Sequence, residues 1–178
     1  SQAAIPQRVQ NRYQNQVENA IKLALAAPDN RVVADLTQLR ERVKQNGGRV
    51  PPGGPPFTLL IDVKSAAESS YAALRDVLRR YADLLTVFRT NATETKAVTV
   101  ILSGNRAENT VAREEIRLAA LDGRLSDLDG NRSPHLMPLI SDRWSTAFRW
   151  REIGPMPEDE RRRLKALVNQ AHAQGRRI

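Results

Sequence analysis

One segment constrains this chain more than any other: Phe57-Thr-Leu-Leu-Ile-Asp-Val-Lys64 is a compact apolar run that follows four prolines and two glycines between Pro51 and Pro56. The breakers enforce a loop, and the run after it has no helical stripe. A short run that is apolar on both faces suits a parallel strand, whose two sides are covered by other elements. Ala97-Val-Thr-Val-Ile-Leu102 repeats the pattern. Ile116 to Asp122 and Met137 to Asp142 give two further, shorter strands.

Helical segments alternate with these runs. Tyr71, Leu74, Val77, Leu78, Tyr81 and Leu85 make one amphipathic stripe, preceded by Ser65 and Glu68 in the spacing of a capping box. A short helix from about Ala107 to Glu115 follows the second run. The last helix spans Pro157 to Gln174, with Glu158, Asp159 and Glu160 at the positive end of its dipole and Gly175 as its cap. Arg176-Arg177-Ile178 then reads as the first residues of another strand. Strand–helix–strand alternation with short connections predicts an α/β fold: a partial (β/α) barrel of TIM type, or an open parallel sheet of about four strands.

Upstream, Val9, Tyr13, Val17, Ala20, Ile21 and Ala24 predict a helix over Pro6 to Ala27, stopped at Pro28-Asp29-Asn30. Its opposite face is rich in Gln and Asn. Arg31 to Leu36 reads as a short strand or as the entry to a second helix that reaches about Gln45 and ends at Asn46-Gly47-Gly48. The chain therefore divides at about residue 37 into an N-terminal helical segment and a 38–178 α/β segment.

In parallel α/β folds, functional groups collect where strands end. Here every strand ends in a polar cluster: Asp62 and Lys64, Asn105 and Arg106, Asp122 and Arg124, Asp142 and Arg143. The formal charge of +8 raises a nucleic-acid reading. The distribution argues against it, because many arginines adjoin acids, as in Arg40-Glu41-Arg42 and Arg113-Glu114-Glu115, and aromatic residues do not interleave with basic ones. The absence of cysteine removes disulfides and thiolate chemistry. No apolar run is long enough to span a bilayer.

Leu59-Leu-Ile-Asp-Val-Lys-Ser65, Val100-Ile-Leu-Ser-Gly-Asn-Arg106, Asp122-Gly-Arg-Leu-Ser-Asp127 and Pro138-Leu-Ile-Ser-Asp-Arg-Trp144 together resemble consecutive strand ends of one family. Gly154-Pro-Met-Pro-Glu-Asp-Glu-Arg161 and Ala171-His-Ala-Gln-Gly-Arg-Arg177 extend the resemblance. The family is the bacterial branch of the phosphatidylinositol-specific phospholipase C-like superfamily, related to the glycerophosphodiester phosphodiesterases. The resemblance covers about residues 38 to 178 and implies a TIM-type barrel that cleaves phosphodiesters with a histidine pair and a divalent cation, magnesium or calcium. It makes Asp62 a metal carboxylate and Lys64 a phosphate contact. Arg106, Arg124 and Arg143 join Lys64 as candidate phosphate ligands at the shared mouth.

The family's histidine pair and Glu-x-Asp metal motif belong to earlier strands, and the matching segment carries neither. The two histidines, His135 and His172, are expected to be structural. Each strand-end residue also has a plain alternative: Asp62 with Lys64 as a rim ion pair, Asn105-Arg106 as a turn and helix cap, Asp122 and Asp142 as turn or salt-bridge groups. Trp144, Phe148 and Trp150 are expected to pack as a loop cluster. Asn91-Ala92-Thr93 and Asn131-Arg132-Ser133 fit the glycosylation triplet, a pattern frequent by chance. Two functions compete. One is a phosphodiesterase-family barrel portion, inactive alone, that holds a phosphate-bearing small molecule weakly. The other is a structural or assembly subunit that pairs, with itself or another subunit, through exposed sheet edges and the N-terminal helix.

Overall fold

The computed structural model describes residues 30–178. The helix expected over Pro6 to Ala27 lies outside the described residues. The chain begins with α1 (Asn30–Gln45), then β1 (Phe57–Val63), α2 (Ala67–Arg79), β2 (Val87–Arg89), β3 (Thr93–Glu94) and β4 (Val98–Gly104). These are followed by α3 (Glu108–Arg113), β5 (Ile116–Arg117), β6 (Ala120–Gly123), a 3-10 turn at Leu125–Asp129, β7 (Leu139–Ile140), α4 (Trp144–Ala147) and α5 (Glu158–Ala173). The fold is α/β. Its main sheet is parallel, with the four strands in the order β1-β4-β6-β7, and a second sheet joins β3, β2 and β5 in antiparallel fashion.

β1 and β4 pair along their full length, from Phe57 opposite Val98 to Val63 opposite Gly104. The alternating side chains of this pair divide the sheet into two faces. Leu59, Ile61 and Val63 of β1, with Val98, Val100 and Leu102 of β4, join the large core with Leu36 of α1, Leu74 and Leu78 of α2 and Ala171 of α5. The other face carries a small cluster of Phe88, Ile101 and Ala120, flanked by the half-buried Leu60 and Leu139. The helices therefore cover one side. α1 extends on both sides of residue 37, and its Val32 and Leu36 are as buried as the strands they meet.

The sheet is rolled. Beyond β7, Arg177 bridges Leu139 in parallel, with Ile140 N donating to Arg177 O at 2.8 Å. Four inter-strand steps of about 4.8 Å would put that position about 19 Å from β1 in a flat sheet. Yet Arg177 Nη1 donates to Thr58 Oγ1 of β1 at 3.2 Å. An arginine side chain cannot span the flat distance, so the strands curl until the two margins of the sheet nearly meet.

The structure redraws several local expectations. The stripe expected to stay helical through Leu85 leaves the helix at Arg79. Leu84 and Thr86 instead exchange backbone bonds with Val98, at 3.0 and 2.8 Å, and lead into β2. The β-branched and aromatic run Thr86-Val87-Phe88 favours this extended course over continued helix. The strand expected over Ile116 to Asp122 splits in two, because Arg117 pairs antiparallel with Phe88 while Ala120 pairs parallel with Ile101. The Ser65/Glu68 capping box does not form: Ala66 occupies the cap position without a side-chain bond, and Glu68 accepts from Thr110 at 2.7 Å. Arg177 fulfils the strand start expected at Arg176 to Ile178.

The asymmetry of the two faces has a measurable outcome. Leu102→Ala, on the helix-covered side, should lower unfolding free energy by about 2–5 kcal/mol in urea titrations. Leu60→Ala, half-buried on the side that no described helix covers, should cost only about 1 kcal/mol. Equal losses would mean that Leu60 is as fully buried in solution as Leu102.

Candidate functional site

All four parallel strands end at one margin of the sheet, and the polar residues singled out above follow there. Gly104 makes this margin compact. Its φ of 70° is a left-handed conformation, and a Cβ there would collide with Val63 O and the Asp62 carboxylate. The turn lets Asn105 N donate to Val63 O at 2.8 Å, folding the end of β4 over the end of β1.

Asp122 is the centre of the margin. It is 1% exposed, and its carboxylate accepts from Ser103 Oγ at 2.7 Å, Ser141 Oγ at 2.8 Å and Arg124 Nη1 at 2.6 Å. A buried carboxylate is tolerated only when its lone pairs are met in this way. The register explains the donors. Leu102 pairs with Leu121, so Ser103 falls beside Asp122, while Gly123 pairs with Ile140 and brings Ser141 to its other side. Arg106 reaches the same place by another route: Nη1 donates to the backbone oxygen of Asp122, and Nη2 lies 3.8 Å from Glu108.

The four candidate phosphate ligands therefore fall into two groups. Arg106 and Arg124 are bound into the Asp122 cluster; Arg124 also donates to the Gly123 and Ser141 carbonyls at 3.0 and 3.3 Å. Lys64 and Arg143 are not bonded to it. Lys64 Nζ lies 2.5 Å from Asp62 and its side chain is 63% exposed, whereas Arg143 is exposed on the rim. Lys64 follows Asp62 by two residues, as Arg124 follows Asp122, and this spacing returns each cation to the face of its acid. Asp62 is half-buried. Among the described residues no group of three or more His, Cys, Asp or Glu side chains is placed to hold a metal ion.

Asp142, on the far strand end, ties the rim together. It accepts from Thr146 Oγ1 at 2.9 Å, Arg143 N at 2.8 Å and, more distantly, Leu125 N at 3.3 Å. Slight desolvation pushes its carboxyl up, but these donors and the nearby Arg124 charge outweigh it and hold the group below its ordinary value. Trp144 packs on Phe148 and Trp150, with ring centroids 4.3 and 6.2 Å apart, as expected of a loop cluster. Glu160 fixes that loop by accepting from Arg149 N and Trp150 N at 2.9 and 3.0 Å.

Neither histidine stands at this margin. His135 Nδ1 is 2.8 Å from Thr93 Oγ1 of β3, beside the antiparallel sheet, and His172 is exposed on α5. Ser103 and Ser141 are the polar positions of this margin that sequence reasoning passed over. Their signal was placement: each follows an apolar strand run at the level where the neighbouring strands carry acids. No family model, curated protein or solved structure matches the chain.

The depressed Asp142 carboxyl sets a pH dependence. A lowered folded pKa contributes stability that is present above the unfolded value of about 4 and is lost as pH falls through the folded value. Asp142→Asn should therefore melt earlier than the parent at neutral pH. The two should converge once both carboxyl states are protonated. A constant difference in melting temperature down to about pH 2 would exclude this role for Asp142.

Proposed function

We propose that this chain supplies the phosphate-binding side of a phosphodiesterase-like (β/α) barrel of TIM type. The observation that carries the reading is that Lys64, Arg106, Arg124 and Arg143 follow successive neighbours of one rolled parallel sheet at its carboxyl margin. The margin is already organised. Ser103, Asp122 and Ser141 lock Arg124 in place, so little side-chain freedom is lost when an anion arrives. Lys64 and Arg143, at the outer positions, would close on phosphate oxygens. The resemblance of the strand ends to the phospholipase C-like superfamily points the same way.

The reading makes the chain a binder rather than a hydrolase when alone. Phosphodiester cleavage in such a site needs an acid and a base within reach of the scissile bond, and both histidines lie elsewhere. A magnesium or calcium ion at Asp62 would displace Lys64 and gain one side-chain ligand there, with phosphate and water supplying the rest. Titration with orthophosphate should give salt-sensitive binding, weakened about tenfold by Lys64→Ala combined with Arg143→Ala. Bis(p-nitrophenyl) phosphate should not be turned over with either metal. Unchanged binding in the double variant, or turnover abolished by Asp62→Ala, would overturn the reading.

A second reading rests on the sheet itself. Among the described residues β1 has β4 as its only strand partner, and Leu60 and Leu139 line a face that no described helix covers. Unpaired strand edges recruit other chains, and a second copy or another subunit could pair with this edge. Light scattering should then report a mass above the 19.9 kDa of one chain. A mass that stays monomeric and does not change on dilution would remove the assembly role.

A further inference from the structure

A second polar site lies away from the strand-end margin, between α2 and the strands β2 and β5. It is a cleft of about 660 Å³, a size that takes a small organic ligand. Arg75, Arg79, Arg89, Lys96 and Arg117 contribute to its lining, against the carboxylates Glu114 and Glu115. Most of these cations have local partners. Arg75 pairs with Glu114 at 3.0 Å, Arg79 with Asp76 at 3.3 Å, and Lys96 donates to Ala82 O at 2.9 Å.

Arg117 is different. It is 4% exposed, and all its bonds go to neutral carbonyl oxygens: Glu114 O at 3.0 Å, His135 O at 3.0 Å and Arg89 O at 3.4 Å. Its Nε is buried without a partner. The nearest carboxylate is already occupied, since Glu114 accepts from the Tyr71 hydroxyl at 2.6 Å as well as from Arg75. Burial and this bond hold the Tyr71 phenol far above its ordinary value, so it remains a neutral donor to Glu114. Burial in turn pushes the Arg117 guanidinium down, but an arginine keeps its charge at neutral pH. A buried cation whose hydrogen bonds all go to carbonyl oxygens, with Glu114 acting on it only through space, is costly until an anion reaches it.

The remaining walls favour one kind of anion. Leu78, Val87 and Leu118 form an apolar lining, and Ile116 stands 57% exposed at the cleft. Arg89 is exposed, and its side chain makes no hydrogen bond or ion pair among the described residues. We infer that this cleft binds a phosphate monoester with an apolar body, its phosphate between Arg117 and Arg89 and its body along Leu78, Val87 and Ile116.

Phenyl phosphate is a suitable probe, titrated against the full chain while backbone amide signals are followed. Saturable shifts are expected at Val87, Ile116 and Arg117, with affinity above that of either orthophosphate or phenol. Arg89→Glu should weaken binding at these signals by about tenfold or more, the effect of losing one charge-assisted contact. Its surface position should leave the fold intact, checked by an unchanged melting temperature. Lys64→Ala with Arg143→Ala should leave these signals unaffected, which separates this site from the strand-end margin. Shifts confined to residues 62–64, 103–106, 122–124 and 141–143 would overturn the inference. So would Arg89→Glu binding as tightly as the parent, or phenyl phosphate binding no better than orthophosphate.

Discussion

Parallel pairing between β1 and β4 is the constraint from which the rest of the architecture follows. Two strands running the same way cannot be joined by a tight turn, so the chain must leave the sheet and return. Here it does so through α2 and then through the β2–β3 excursion, before re-entering at Val98. That crossover places Tyr71, Leu74, Val77 and Leu78 against one face of the sheet, and the same requirement repeated at β6 and β7 brings α3 and the 3-10 turn to the margin. Because every parallel strand ends on the same side, polar residues scattered over 80 positions of sequence, from Asp62 to Asp142, are gathered into one rim.

Electrostatics at that rim obeys a rule of satisfaction before function. Asp122 lies beneath the surface, and its neighbours are chosen by register to neutralise and bond it. Arg124 and Arg106 are both bonded into that role. The cleft behind α2 shows the reverse situation. There the carboxylate Glu114 serves Tyr71 and Arg75, and Arg117 is left among carbonyl dipoles. Two basic sites in one small fold thus differ in kind: in one the cation is bonded directly to its counter-charge, while in the other Arg117 bonds only to carbonyl oxygens and the nearby Glu114 is bonded elsewhere.

What the sequence revealed follows from how local each signal is. Phe57–Val63 and Val98–Gly104 were legible because both faces are apolar and loops bound them, and α5 because an acidic first turn and a closing glycine mark its ends, whereas the start of α1 read equally as a strand. The stripe through Tyr81 to Leu85 misled because those side chains are indeed buried, but from a turn and an extended strand whose partner, Val98, lies in another element. The split at Leu118 was equally hidden, since only tertiary pairing tells β5 from β6. The strand-end acids and bases could be read from spacing alone. Their bonds to Ser103 and Ser141 could not, because those depend on inter-strand register that no single segment encodes.

The loop of Trp144, Phe148 and Trp150 carries one further consequence. The chain has two tryptophans, and both sit in this rim loop rather than in the core. Their indoles are half-exposed or exposed, and each donates to a backbone oxygen of the same loop, Trp144 to Trp150 O and Trp150 to Gly154 O. Indole emission will therefore report the packing and solvation of one corner of the margin and say little about the hydrophobic interior. The fold carries a localised optical reporter beside Arg143, so a spectral change in the folded chain on adding a ligand is a signal from the rim.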